Sequence, residues 1–450
     1  MRVIIIGGSH AGIAAARHLK KIDPLVEVVI MEQTNVLGYL GSSLNLYLEG
    51  FTSQLEEART VTASQLIAEQ INVLLNSQVT AIDQHQKKVY FTTSNQDGDL
   101  SDEMSYDALI LAMGSSQYQT DDSLGDPTSI TNYKTLAKSK KAVTSLKQAN
   151  KIAIIGAGLI GFELIESLRG LKKEIYLIDR MDSLLFRYFD AELTSELVKK
   201  IPENVHLYLD KPIRTIASLD DSSEKAIQLV NGEVLTVNDV VYAINPRPTI
   251  DLVADILEIN MDGTIATNAY LQTSDPHIYA VGDLVSVYFN ESPEPLYIPL
   301  VTNAYRTGMI AASNILRKEK ITFPKVQRTI VTELFDTYLA SSGVNEEEAP
   351  YYGFNVDAVT KHYQREALFS NEPFELTLKL VFDRKSKQLM GGQLMTNSKN
   401  TLEIINTLSS LITMKTTLEQ LVTMDFYFNP KLSMPLHFLN ELAMEGLIKE

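Results

Sequence analysis

The chain has 450 residues, 45% of them hydrophobic and 21% charged, with a formal net charge of −16 and no cysteine. That length holds about three domains, each large enough to bury a core of its own. The acidic balance excludes a nucleic-acid binder, which needs basic patches to displace counterions from phosphates. The lack of cysteine excludes disulfides, thiolate metal sites and cysteine redox chemistry.

The first element is the apolar run Val3-Ile4-Ile5-Ile6, which leads into Gly7-Gly8-Ser9-His10-Ala11-Gly12. A second run, Val26 to Met31, ends in Glu32. A strand, a glycine turn, a helix and an acid about 20 residues on form a dinucleotide grip. The first glycine turns the chain and the second position lets backbone approach a pyrophosphate. The last glycine lets helix and strand pack closely, and the free N–H groups of the helix face the phosphates while the acid takes ribose hydroxyls. The N-terminus carries no cleavable signal pattern, so cytoplasm is the expected compartment.

Residues 59 to 114 mix helix and strand and end in the buried parallel-type strand Tyr106 to Gly114. Residues 115 to 150 are polar, and Asp121 to Pro127 mark a loop between domains. The grip then recurs. Ile152-Ala153-Ile154-Ile155 precedes Gly156-Ala157-Gly158-Leu159-Ile160-Gly161, and Ile175 to Ile178 ends in Asp179. The apolar run here, Ile152 to Phe162, is too short for a bilayer, which needs roughly 18 residues, and no membrane partner is expected.

Gly170 is read as the C-cap of the second helix, and Asp239 to Ile244 as a closing strand after which Asn245-Pro246-Arg247-Pro248 breaks the structure. Thr273 to Asp283 is a short strand ending in Gly282-Asp283. Further on, Leu376 to Phe382 alternates as a strand, with Leu389 to Leu394 as its hairpin partner. Leu402, Ile405, Leu408 and Ile412 share one helical face. The six histidines other than His10 show no ligand spacing, and no metal is assigned.

Together these landmarks resemble the FAD- and NAD(P)H-dependent pyridine nucleotide-disulfide oxidoreductases, in the branch with NADH peroxidase, NADH oxidase and coenzyme A-disulfide reductase. The likeness rests on Gly7 to Gly12, Leu46-Tyr47-Leu48-Glu49-Gly50, Val281-Gly282-Asp283 and Asp425-Phe426-Tyr427-Phe428-Asn429-Pro430. It implies an α/β fold with two Rossmann-like domains, an FAD domain (1–115 and 245–320) split by an inserted NAD domain (116–244). An α+β dimerisation domain (321–450) follows, and with it a homodimer.

Carried over by resemblance, Gly7, Ser9 and Gly12 hold the FAD pyrophosphate, Glu32 its ribose, and Gly282 and Asp283 the ribityl chain, with Gly114 in the same set. Gly156, Gly158 and Gly161 hold the NADH pyrophosphate, Glu163 lies beside the nicotinamide, and Asp179 favours NADH by repelling the 2′-phosphate of NADPH. Lys20 and Lys21 fall where some relatives hold coenzyme A, although two lysines closing a helix also compensate its dipole. Phe426 to Phe428 fall where relatives reach the partner's flavin. The family's glycine after the NAD-domain strand is missing from Tyr242-Ala243-Ile244-Asn245, which implies looser or displaced NADH binding.

The main departure is Ser42, which stands at the redox cysteine in Gly41-Ser42-Ser43. A serine hydroxyl cannot cycle through a sulfenic acid or a mixed disulfide. His10 and Ser42 then act only by hydrogen bonding. The expected activity takes hydride from NADH to FAD and passes electrons to O2, giving hydrogen peroxide, or to another small-molecule acceptor. Two alternatives stay open: a non-catalytic or sensor flavoprotein of the same fold, or a peroxidase, oxidase or disulfide reductase whose cysteine is replaced by Ser42.

Overall fold

Near-continuous β-branched runs such as Val3 to Ile6 suit strands covered on both faces, which is the condition of a parallel sheet. In the computed structural model, which describes residues 1–96, 98–116, 130–219, 224–244 and 246–448, these runs form two such sheets. The first has the order Ile278–Ala280, Ala108–Leu111, Arg2–Ile6, Glu27–Met31, Asn72–Leu74, all parallel. Its outer strand arrives from far along the chain, so the sheet is closed by sequence that lies beyond the second glycine turn.

The second sheet runs Val205–Tyr208, Glu174–Ile178, Lys151–Ile155, Asp239–Tyr242, again parallel. Three-stranded antiparallel sheets accompany the two units, at Ser77–Asp83, Lys88–Asn95 and Gly98–Ser105, and at Ile213–Ser218, Lys225–Leu229 and Val234–Val237. The C-terminal sheet is antiparallel, in the order Ile330–Leu334, Thr337–Gly343, Leu389–Thr396, Leu376–Asp383, Val356–Tyr363, and it contains the expected hairpin.

One helix is added to the sequence reading and three local expectations are corrected. The polar stretch 115–150 contains the helix Leu136–Gln148, capped by the Thr135 side chain; it buries only Ser139, Ala142 and Leu146, too few apolar positions to read as a stripe. Arg247–Pro248 does not simply break the structure but pairs antiparallel with Ser115–Ser116, so the two crossings between the parallel sheets hold each other. Gly170 lies inside the short 3-10 turn Arg169–Leu171, and Lys172, at φ +49°, takes the left-handed position. On the helix Glu403–Thr413 the buried face is Ile404, Ile405, Leu408 and Ile412, with Leu402 left in the preceding turn. The proposed loop Asp121 to Pro127 and Asn245 lie outside the described residues.

The C-terminal sheet does not stand apart. Ile330, Leu334, Phe335 and Leu339 share a core with the second parallel unit, and Leu44, from the segment that carries Ser42, joins that core too. Val344, Ala349 and Ala358 pack into the core of the first unit. No described helix is long and apolar enough to cross a membrane.

Candidate active site

Both glycine turns obey one geometric rule. Gly7 sits at φ +110°, and a Cβ there would overlap the Ala112 carbonyl; Gly156 sits at φ +114°, with its Cβ position 2.7 Å from the Ala243 carbonyl oxygen. Left-handed backbone pressed against a neighbouring strand leaves room only for glycine. A Cβ on Gly12 would overlap the Gly7 carbonyl, and one on Gly161 the Gly156 carbonyl, so the last glycine of each turn lets its helix lie on the turn. The first bonds within the two helices are Ile13 N–H to the Ser9 carbonyl and Phe162 N–H to the Gly158 carbonyl. The N–H groups before them project from the helix ends.

The two acids repeat the rule. Gly8 N–H donates to Glu32 Oε2 at 2.9 Å, and Ala157 N–H donates to Asp179 Oδ2 at 2.7 Å. The second oxygen of each is also fixed, Glu32 Oε1 by Thr34 N–H and hydroxyl and Asp179 Oδ1 by Met181 N–H. Each carboxylate is therefore oriented at the mouth of its turn and keeps acceptor capacity for a further donor. A Cβ on Gly158 would meet open space, so glycine is not demanded there by internal packing, which fits backbone kept clear for a dinucleotide. Gly114 also faces open space, and its φ of +72° favours glycine on conformational grounds. These cradles fit FAD and NADH. Gly156 lies on Ala243 as Gly7 lies on Ala112.

Gly282 and Asp283 open a single 3-10 turn after the strand Ile278–Ala280. Gly282 sits at φ +67° with its Cβ position 3.1 Å from Ala11 Cβ, and its N–H donates to Thr307 Oγ1 at 2.9 Å. This places Asp283 beside the first turn. Ser115 donates to Asp283 Oδ2 at 2.5 Å, and Lys134 Nζ, also bonded to the Ser115 hydroxyl, lies 3.4 Å from the same oxygen. Among the described residues these contacts all fall on Oδ2, leaving Oδ1 for another donor. Burial pulls Lys134 below the usual lysine range, against the pull of Asp283.

His10 is half-buried between this cluster and the Tyr305 ring, 5.7 Å away centroid to centroid, and its Nδ1 is buried without a hydrogen-bond partner. Ser42 is exposed and precedes the short helix Ser43–Leu48, making no side-chain cap. That helix is clamped from the second unit: Lys147 donates to the Tyr47 hydroxyl at 3.0 Å, and Ser167 donates to Glu49 at 2.7 Å. Ser43 is buried and bonded to the Tyr39 hydroxyl. No hydrogen bond joins Ser42 to His10 among the described residues. Glu163 accepts from Thr332 at 3.2 Å, and burial pushes its carboxyl above the usual range.

Lys134 and Ser115 escaped the sequence reading because each stands in polar sequence with no spacing signal, and Thr332 because it is an inward position of an ordinary strand, Ile330–Leu334. Gly308 carried one. A glycine inside a helix marks a close approach, and a Cβ there would overlap the Ala11 carbonyl. Lys20 donates to the Pro24 and Val26 carbonyls, at 3.1 and 2.7 Å, and so serves the end of its own helix.

A family model described as pyridine nucleotide-disulphide oxidoreductase matches residues 1–308, and the dimerisation domain of that family matches residues 326–437. The chain belongs to the pyridine nucleotide-disulphide oxidoreductase family. It is 29% identical to an NADH oxidase of Enterococcus faecalis and 27% identical to one of Lactococcus lactis, each over 99% of this chain and at least 99% of the relative. Among solved structures, a water-forming NADH oxidase from Lactobacillus brevis, bound to NADH, superposes with a TM-score of 0.92 at 28% identity over 100% of this chain and 98% of its own. An NAD-dependent persulfide reductase from A. fulgidus gives 0.90 at 26% identity, over 100% and 83%. As a member of the family, the protein is an enzyme of the oxidoreductase class.

Burial holds His10, His18 and His437 below the ordinary imidazole value, which is about 6.5 in the unfolded chain. Below that value the unfolded state binds more protons than the folded state, so stability is full above it and falls as pH drops through the window beneath. Urea midpoints are expected to decline from pH 7.5 to 5.5, and His10→Gln to flatten part of that slope. An unchanged slope would count against a neutral, buried His10.

Proposed function

We propose that the first turn holds FAD through Gly7, Ser9, Gly12, Glu32, Gly114, Gly282 and Asp283, and that the second holds NADH through Gly156, Gly158, Gly161, Glu163 and Asp179. The protein is an FAD-dependent NADH oxidoreductase. When bound, FAD supplies a two-electron acceptor for hydride and a donor to the terminal acceptor. The observation that carries the assignment is the repeated acid-on-turn geometry, Glu32 on Gly8 and Asp179 on Ala157, one copy for each dinucleotide.

The remaining chemistry follows from the chain's own residues. Asp283 orients one end of the flavin site, and Lys134 carries a cation into it. His10 and Ser42 offer hydrogen bonds to what lies between the two halves. No sulfur is present to take electrons onward, so O2 is the proposed acceptor: NADH, O2 and a proton give NAD+ and hydrogen peroxide. The four-electron route to water requires peroxide to be reduced by a second NADH, a step the cysteine relay of relatives would carry.

We place the FAD domain at 1–115 and 245–320, the NAD domain at 116–244 and the dimerisation domain at 321–450. The homodimer is supported by the dimerisation-domain match and by Tyr427 and Phe428, which are 71% and 51% exposed. The compartment we propose is the cytoplasm.

Reading Ser42 as a replaced redox cysteine makes its own prediction. Ser42→Cys is expected to lower the peroxide released per NADH by at least half, because a thiolate there reacts with peroxide and is reduced again. An unchanged peroxide yield in a folded, flavin-loaded variant would leave Ser42 outside the reacting site. A sensor would behave differently from either enzyme, since its flavin band would not bleach under anaerobic NADH.

A further inference from the structure

The loop between Asp179 and the helix Ala191–Val198 is tied both to the second glycine turn and to the C-terminal region. At its start, Leu185 takes left-handed backbone at φ +54° and donates its N–H to the carbonyl of Ala157 at 2.9 Å. Ala157 is the middle residue of the NADH-side glycine turn, and its own N–H is the one that orients Asp179. At its other end the loop enters the C-terminal region. Asp190 is 2% exposed and meets Lys379 Nζ at 2.9 Å; Lys379, equally buried, also meets Glu192 and Glu346 at 2.7 Å each.

Asp190 is held further by Gln393, which donates from Nε2 at 2.6 Å and accepts the Asp190 N–H at 2.9 Å, and by the N–H of Glu347 at 2.9 Å. Between the two ends, Asn345 donates to the Phe186 carbonyl at 2.6 Å. Burial works against the Lys379 ammonium, but Asp190, Glu192 and Glu346 more than offset it and keep it charged.

A buried ion pair that adds little net stability can still fix one arrangement of the parts it joins. Lys379 stands on the strand Leu376–Asp383 of the C-terminal sheet and Asp190 at the entry to a helix of the second parallel unit. We propose that Lys379 is a positioning residue for NADH. Through Asp190 it anchors the 185–190 loop, and through Leu185 and Ala157 that loop sets the glycine turn and the Asp179 carboxylate. This rests on the assignment of NADH to the second turn.

The test uses the flavin-loaded enzyme in anaerobic stopped flow, reading the dissociation constant of NADH and the limiting rate of flavin bleaching separately. Lys379→Met is expected to raise the dissociation constant about tenfold with the limiting rate within about twofold, and Lys379→Arg to recover most of the loss. Lys361→Met, which breaks a half-buried ion pair between the neighbouring strand Val356–Tyr363 and Glu441 and Glu445 of the helix Phe438–Ile448, is expected to change neither. If Lys379→Met does not fold, Gln393→Ala carries the test. It should weaken NADH about threefold and speed hydrogen exchange in residues 184–190. Unchanged NADH affinity in a folded variant, or an equal fall in rate and affinity that arginine does not rescue, overturns the proposal. A wild-type flavin that NADH does not bleach would instead overturn the assignment of the second turn.

Discussion

Gly12→Ala is expected to leave the purified protein largely without FAD, with the affinity of the apoprotein for added FAD lowered tenfold or more. The added methyl has nowhere to go. It would overlap the Gly7 carbonyl, which is backbone, and it would also lie 3.2 Å from Ile5 Cγ2. Helix His10–Ile22 must therefore lift from the turn. It is pinned on its other side, where Gly308 lies against Ala11 and the Gly282 Cβ position is 3.1 Å from Ala11 Cβ. Overpacking of this kind costs about 1–3 kcal/mol, and each 1.4 kcal/mol diverted from binding is about tenfold in affinity.

Gly161→Ala repeats the insult at the second turn, where the methyl would overlap the Gly156 carbonyl. It should spare FAD and raise the NADH requirement instead. Flavin content measured by absorbance, with NADH titration of each holoenzyme, separates the two. Full flavin content in Gly12→Ala, or loss of flavin in Gly161→Ala, would reverse the assignment of the turns.

The largest effect on stability is expected from Glu348→Ala. Arg328 and Glu348 are 6% and 2% exposed and form a two-pronged ion pair, with the guanidinium carbon 4.6 Å from the centre of the Phe289 ring and 5.3 Å from that of Tyr188. Glu348 also accepts from the Tyr352 hydroxyl at 3.3 Å, and its N–H donates to Asn345 at 2.7 Å. Removing the carboxylate strands a guanidinium in an aromatic pocket, at a cost of about 3–5 kcal/mol.

The protein has several domains, so the reading is the half-life of flavin retention at fixed temperature and the urea midpoint, rather than one unfolding free energy. The paired change Arg328→Met with Glu348→Leu should be much milder than Glu348→Ala, because no charge is left alone. A single variant as stable as the wild type would show that water or another group reaches Arg328.

The parts legible in the sequence were those whose physics is local. A glycine turn between an apolar run and a helix is a short-range pattern, and so is the acid at the end of the next strand; in both units the turn forms and the acid meets it. Strand alternation gave the Leu376–Asp383 hairpin for the same reason. What escaped lies across long separations in sequence. Ser115 and Lys134, both from the first crossing between the parallel sheets, meet Asp283 at sequence separations of 168 and 149, and Thr332 reaches Glu163 from the C-terminal sheet.

Lys379 stands as a lone lysine in an apolar strand, and only the fold brings three carboxylates to it. At the second turn the steric requirement falls on Gly156, which meets the Ala243 backbone whatever side chain stands there.

The central claim is that electrons enter from NADH and leave as peroxide without a sulfur relay. The most direct measurement follows NADH, O2 and hydrogen peroxide together during turnover of the flavin-loaded enzyme in air. Equal consumption of NADH and O2 with an equal yield of peroxide is the predicted result. Twice as much NADH as O2 consumed, with no peroxide, would contradict it, since a cysteine-free chain would then be reducing O2 fully to water.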